Sequence, residues 1–250
     1  MPTLTRRGGA TLSATRKGGT VLTPSRGGAA PSSVPTFTSG TVYASTAVEP
    51  STSVAVPLPA ATTGDYLMLV ASLNVTSAVI TAPAGWSTAF ASAQSSASTS
   101  HAVAVFYKPW ASGDTSATLT TNSAGRVAVI PFKISGANAT VLDVAAVSTT
   151  QAAATAAIDA PSVTPSAAAN PVLLMIASGR SAVAGSTFTF GTPTGMTLLA
   201  QGCASSTSTT AGAAVFTQAV ASGTATGART STASAALTGS RGVALVIRAR

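Results

Sequence analysis

Four blocks of this sequence occur twice, in the same order, and any fold the chain adopts must accommodate both copies. HAVAVFYKPWASGD, from position 101, lines up with AGAAVFTQAVASGT, from 211, so that Phe106 matches Phe216 and Gly113 matches Gly223, each 110 positions on. At the same offset TAPAGW, ending at Trp86, aligns with GTPTGM, ending at Met196. LMLVAS at 67 matches LLMIAS at 173, and RVAVI at 126 matches RGVALVI at 241, with offsets of 106 and 115. Single matches arise by chance in Ala- and Thr-rich sequence, but four blocks in preserved order indicate a duplicated half.

From about Phe37 onward the chain consists of short apolar runs separated by Gly, Pro, Ser, Thr and Asn. Tyr66–Ser72, His101–Lys108, Ala117–Thr121, Arg126–Ile134, Val172–Ala177, Ser186–Phe190, Gly212–Gln218 and Gly242–Arg248 read as strands, because they are β-branched or aromatic and bounded by turn signals such as Ser112-Gly113-Asp114. Val144–Ile158 has an Ala-rich, helix-like composition but carries Val147-Ser-Thr-Thr, and reads as loop or strand with a short helix as the lesser alternative. The pattern predicts an all-β fold, a jelly-roll-like antiparallel β-sandwich built from two similar halves, at about 40–140 and 150–250. The stretch from Gly136 to Pro171 has no evident linker, which favours one body whose halves share a core over a tandem pair of small sandwiches. Several strands are apolar on both faces: in His101–Lys108, Val103, Val105 and Tyr107 share one side, and Ala102, Ala104 and Phe106 the other. The Ala-lined side is expected to meet another layer or subunit.

Residues 1–35 form a different region. A basic residue followed by Gly-Gly recurs at Gly8-Gly9, Gly18-Gly19 and Gly27-Gly28, and the first 28 positions hold no acid. Paired glycines are entropically costly to order, and few apolar side chains offset that cost. The segment reads either as a solubilising tail or as an extended N-terminal arm that docks on a partner, with Arg6, Arg7, Arg16, Lys17 and Arg26 as anchors; Pro31 and Pro35 lead from it into the sandwich at 36–250. Nucleic acid is the weaker expectation for that partner, because no aromatic residue precedes Phe37 to stack on bases.

The remaining composition bounds the chemistry. Charged residues make up 7% of the chain against 46% hydrophobic, so the surface must be largely Ser, Thr, Ala and Gly, as suits a protein packed among neighbours. Cys203 is the single cysteine and excludes an internal disulfide. The basic start leads into Gly-Gly and not into an apolar stretch, so no secretory signal is expected, and no apolar run is long enough for membrane insertion. His101 is the single histidine, and at the start of an apolar strand it reads as a surface residue. Counting alone leaves a Ser-His-Asp triad open, but no Gly-x-Ser-x-Gly elbow is present. Asp65 and Asp114 lie in Gly-Asp turns, where carboxylates commonly bond the backbone. These counts predict no catalytic residues, no metal site and no cofactor. Trp86 and Trp110 could stack on a cell-surface glycan or pack at the core or rim; the match of Trp86 to Met196 favours packing.

The run PAATTGDYLMLVASLNV, ITAPAGW and HAVAVFYKPWASGDTSATLTTNSAGRVAVIPFKISGA resembles virion structural proteins, of the minor tail or capsid decoration type, of phages infecting high-GC bacteria. The shared features are a Gly-Asp turn into an apolar strand, a Pro-x-Gly-Trp turn, and an aromatic strand before Ser-Gly-Asp. The resemblance covers roughly 55–137, with a weaker echo at 165–250, and brings no catalytic residues with it. It implies a non-enzymatic virion protein made in the host cytoplasm, with other capsid or tail subunits and copies of itself as partners. Host adhesion through a glycan is the alternative.

Overall fold

The computed structural model describes residues 33–45, 51–75, 79–94, 101–151, 155–166, 170–181, 187–204 and 209–250, together with the backbone of Arg6–Arg7 and Ala10–Thr11. Residues 1–32 form one compact unit, in which β1 (Arg6–Arg7) pairs antiparallel with β2 (Ala10–Thr11). Residues 33–250 form the other. All regular structure among the described residues is β-strand, and every pairing is antiparallel.

The first half contributes β3 (Thr36–Ser39), β4 (Tyr43–Ala44), β5 (Ser51–Pro57), β6 (Tyr66–Leu73), β7 (Ile80–Thr81), β8 (Ser87–Gln94), β9 (His101–Pro109), β10 (Ser116–Gly125) and β11 (Val127–Ser135). These make a large sheet in the order β3-β11-β6-β9-β8, with β4 also on β11, and a small sheet in the order β5-β10-β7. The second half contributes β12 (Ala137–Gln151), β13 (Thr155–Ala160), β14 (Val172–Ser181), β15 (Thr197–Ala204), β16 (Thr210–Ala219), β17 (Arg229–Leu237) and β18 (Gly239–Ala249). Its large sheet runs β12-β18-β14-β16-β15, and its small sheet pairs β13 with β17. The repeat is thus reproduced strand for strand: β11-β6-β9-β8 corresponds to β18-β14-β16-β15. Even the two-residue β7, paired with β10, has its echo in the bridge from Phe190 to Ala233 of β17.

Packing follows from the two-faced strands. Leu69, Leu73, Phe106, Leu119 and Val129 fill a core between the two sheets of the first half. Leu173, Met175, Phe216, Leu237 and Val246 do the same in the second. The alternate residues of the same strands, Met68, Val70, Val105, Ile130 and Phe132, meet Leu174, Ile176, Val215 and Leu245 in a third core that joins the large sheets. The Ala-lined face of β9 therefore does meet another layer, which is the small sheet of its own half, while Val103 and Val105 face the other half.

This arrangement departs from the expected jelly roll of two sheets with interleaved halves. A two-sheet sandwich covers one face of each sheet. Strands β6, β9, β14 and β16 are buried on both faces, so each large sheet needs a layer on either side. Each half accordingly closes its own pair of sheets, as in a tandem pair, yet the halves share the middle core. Val144–Ile158 is extended, divided between β12 and β13. Of the expected strand Ser186–Phe190, residue 186 lies outside the described residues and only Phe190 makes a bridge.

The duplicated turns keep their geometry as well. In Pro83-Ala-Gly-Trp the Trp86 amide donates to the Pro83 carbonyl at 3.0 Å, and in Pro193-Thr-Gly-Met the Met196 amide donates to Pro193 at 3.1 Å. The third residue of each, Gly85 and Gly195, has φ of 78° and 77°, the left-handed value that position i+2 of a type II turn requires.

Candidate functional site

In the seam between the large sheets three polar side chains meet one another, and two of them are repeat counterparts. Ser72 closes LMLVAS on β6 and Ser178 closes LLMIAS on β14; both are fully buried. Their position on the strand follows the period of two: Ser72 shares a face with Met68 and Val70, and Ser178 with Leu174 and Ile176, all of the middle core. His101, first residue of β9, shares the face of Val103 and Val105 and is 1% exposed. Its Nε2 lies 3.2 Å from Ser72 Oγ and 2.8 Å from Ser178 Oγ, so one imidazole links the two halves through equivalent hydroxyls. Nδ1 has no hydrogen-bond partner among the described residues.

The electrostatics hold this ring neutral. Burial lowers the His101 pKa most, and the guanidinium groups of Arg241 and Arg180 lower it further, from 6.5 to about 3. Burial also lowers the pKa of both arginines. Arg241, on β18, donates from Nη1 to Ser148 Oγ at 3.0 Å and places its guanidinium 5.8 Å from the ring centroid of Phe90 on β8, a second contact across the seam. Asn74 adds a third, donating from Nδ2 to Thr209 Oγ1 at 2.6 Å. A protonated imidazole here would be a cation in a dry space beside two other cations, so the ring is poorly suited to carry protons in a reaction at neutral pH. Its geometry suits cross-linking.

The expected position of His101 at the surface is therefore corrected. Opening a strand does not expose a residue when a second sheet lies across that strand's end. Ser72, Ser178, Arg180 and Arg241 were not singled out from sequence. The available signal was a serine closing each copy of an otherwise apolar strand, on the face that needs a partner.

The four aspartates, all among the described residues, are engaged in turns and in contacts from strand to neighbouring backbone or strand. Asp65 Oδ2 accepts from the Thr62 amide at 2.9 Å and lies 3.7 Å from Lys133 Nζ. Burial alone would raise this carboxyl, but hydrogen bonds from Ser135 and Thr62 and the Lys133 charge outweigh it and hold it below the ordinary value. Asp114 is likewise held low: burial alone would raise it, but the hydrogen bond and charge of the Lys108 ammonium at 2.8 Å and the Ala111 amide at 2.7 Å together outweigh burial. Asp143 accepts from the amide and hydroxyl of Ser166, and Asp159 from Thr230 Oγ1 at 2.6 Å. Among the described residues no three His, Cys, Asp or Glu side chains gather to hold a metal ion.

Trp86 is half-buried and packs against the inner core of the first half. Trp110 is half-buried too, and its amide donates to the Asp65 carbonyl at 2.9 Å, as that of its counterpart Val220 donates to Pro171 at 3.1 Å. Arg16, Lys17 and Arg26 lie outside the described residues, as do the side chains of Arg6 and Arg7. No protein-family model, no curated protein and no solved structure matches this chain.

Proposed function

We propose that the chain is a non-enzymatic structural protein of a phage virion, a β-sandwich body exposed on the particle and held to neighbouring subunits by its basic N-terminal segment. The observation that carries the reading is the use made of the chemistry-bearing side chains: His101 cross-links two sheets, Asp65 and Asp114 fasten turns, Asp143 holds Ser166 to β12, and Asp159 holds its cross-strand partner Thr230. What remains for the surface is a charge-poor array of Ser, Thr, Ala and Gly, fit for packing against other subunits and copies of itself. The sequence resemblance over 55–137 adds the minor tail or capsid decoration class, and the cations Arg6, Arg7, Arg16, Lys17 and Arg26 supply the grip on a partner.

Deletion of residues 1–30 should abolish incorporation into particles while the body keeps its β-rich circular dichroism spectrum. Purified particles carrying the deleted chain at normal copy number would refute the docking role. Absence of the intact chain from particles, judged by mass spectrometry of the purified virion, would refute the virion assignment itself.

A further inference from the structure

The two halves are joined by a single residue. β11 ends at Ser135 in one large sheet, β12 begins at Ala137 in the other, and Gly136 alone makes the turn between them. Its φ is 79°, a left-handed value, and its carbonyl accepts from the Arg250 amide at 2.9 Å. Glycine passes from that conformation to an extended one at little steric cost. With one cysteine in the chain, no disulfide ties the halves together. What holds them is the seam.

The seam joins unlike partners. Equivalent faces of the two large sheets meet there, as across a two-fold axis, yet the side chains that bridge it are not equivalent. Tyr66 Oη donates to the Ala139 carbonyl at 2.6 Å, Asn74 donates to Thr209, His101 reaches Ser178, and Phe90 receives Arg241. At the repeat offsets the second half carries Val172, Arg180, Ala211 and Ala200 in the places of Tyr66, Asn74, His101 and Phe90. Two second halves pressed together would lose the phenol, the imidazole and the aromatic platform, and would set Arg180 and Arg241 against their own copies. Two first halves would bring two imidazoles together. His101 Nε2 lies within 3.2 Å of both equivalent hydroxyls, so the Nε2 of a two-fold-related ring would fall on nearly the same point. The first half thus fits the second better than it fits itself.

We propose that the seam is an exchangeable interface whose partner is a second copy of this chain: with Gly136 extended, the first half of one copy pairs with the second half of another, and reciprocally, in a closed two-fold dimer. Monomer and dimer contain the same seam contacts and differ in backbone only at the hinge. Concentration decides between them. Copies packed side by side reach the roughly millimolar range in which pairing between chains competes with pairing across a short link. Exchange of this kind needs only a second copy and is independent of the virion assignment.

The test keeps the whole chain. With Gly136 deleted, β11 would run straight into β12, and the halves of one copy could not turn back on each other. Light scattering after size-exclusion chromatography should then give a particle of two chains with the β-rich circular dichroism of the native protein; a folded monomer would overturn the exchange. The native chain supplies a second reading that needs no variant: methyl-labelled and unlabelled copies are unfolded together in urea and refolded at roughly millimolar concentration. The expected product is a dimer in which isotope-filtered nuclear Overhauser contacts join the Val70 and Val105 methyl groups of one copy to those of Ile176 and Val215 in the other. Monomer alone, or a dimer without these contacts, would overturn the proposal. Refolding Ala211→His and His101→Ala chains together reads the matching of unlike halves, because each exchanged seam then holds one imidazole. Mixed dimer should exceed the dimer from Ala211→His alone by on the order of tenfold, and equal yields would overturn that matching.

Discussion

His101 makes the stability of this protein depend on pH in a window where little else titrates. In the folded chain its pKa is about 3, and the ordinary value for an exposed ring is 6.5. The unfolded chain therefore binds a proton that the folded chain refuses throughout the interval between them. The resulting stability is fully present above pH 6.5 and is lost as pH falls towards 3. Each pH unit in that interval removes about 1.4 kcal/mol, so lowering the pH from 7 to 4 should cost about 3 kcal/mol, a large share of the 5–15 kcal/mol that holds a typical domain together. Asp65 and Asp114 also lose stability on protonation, but their pKa values are held below the carboxylate norm, so their contribution disappears only below about pH 4. With no second histidine in the chain, the slope between pH 6.5 and 4.5 belongs to His101.

The assay is urea denaturation followed by far-ultraviolet circular dichroism at pH 7, 5.5 and 4.5, on the native chain and on His101→Ala. Alanine is what the repeat itself carries at the counterpart, Ala211. The substitution removes the ring shared by Ser72 and Ser178 and leaves two buried hydroxyls above a cavity, at a cost of about 2–4 kcal/mol at pH 7. Its stability should then be nearly flat over the interval in which the native chain declines. A native chain equally stable at pH 7 and 4.5, or a variant that keeps the native slope, would refute the reasoning.

Gly85→Ala and Gly195→Ala should each destabilise by about 1–2 kcal/mol in thermal melts, and by similar amounts, because both occupy the same left-handed turn position. Phe188→Ala, emptying a fully packed slot, should cost about 3–5 kcal/mol, and a loss below 1 kcal/mol would mean that the aromatic ring is not held against Gly212. Residues 33–136 expressed alone would expose Met68, Val70, Val105, Ile130 and Phe132, and should associate or precipitate in sedimentation experiments; a soluble monomer would show that the middle core is dispensable.

Much of the strand set was legible because the large-sheet strands are rich in Val, Ile, Leu and Phe, as in YLMLVAS and VLLMIAS. The strands without that signal are those of Ala, Ser and Thr: β8 reads STAFASAQ, β17 reads RTSTASAAL, and their identity comes from pairing with β9 and β13, not from local propensity. The repeat fixed which strands correspond, but the number of sheets depended on counting faces. Strands apolar on both sides demand two neighbours per sheet, a consequence that composition alone leaves implicit. The seam was hidden for a related reason. Serine and histidine at strand ends look like surface residues until a second sheet is laid across them, and only their shared face with Val70, Ile176 and Val103 marks them as interior.

One divergence between the copies, at 101 and 211, follows from where the halves meet. Far from the seam nothing prevents both from keeping the same geometry, as the paired turns at Gly85 and Gly195 do. Beside the seam, side chains from the two copies compete for one space. Ser72 and Ser178 both reach His101 Nε2, and an imidazole from either half would occupy the room that a second one needs. Ala211, fully buried on the face that Ala213 and Val215 turn to the middle core, is the smaller partner this demands. Ala211→His should therefore overpack the seam and destabilise by about 1–3 kcal/mol at pH 7. In urea denaturation that loss should shrink when His101→Ala is introduced in the same chain, because the two rings no longer compete. Additive losses in the double variant would show that the two positions do not share a space, and that the asymmetry at 101 and 211 has a cause other than packing at the seam.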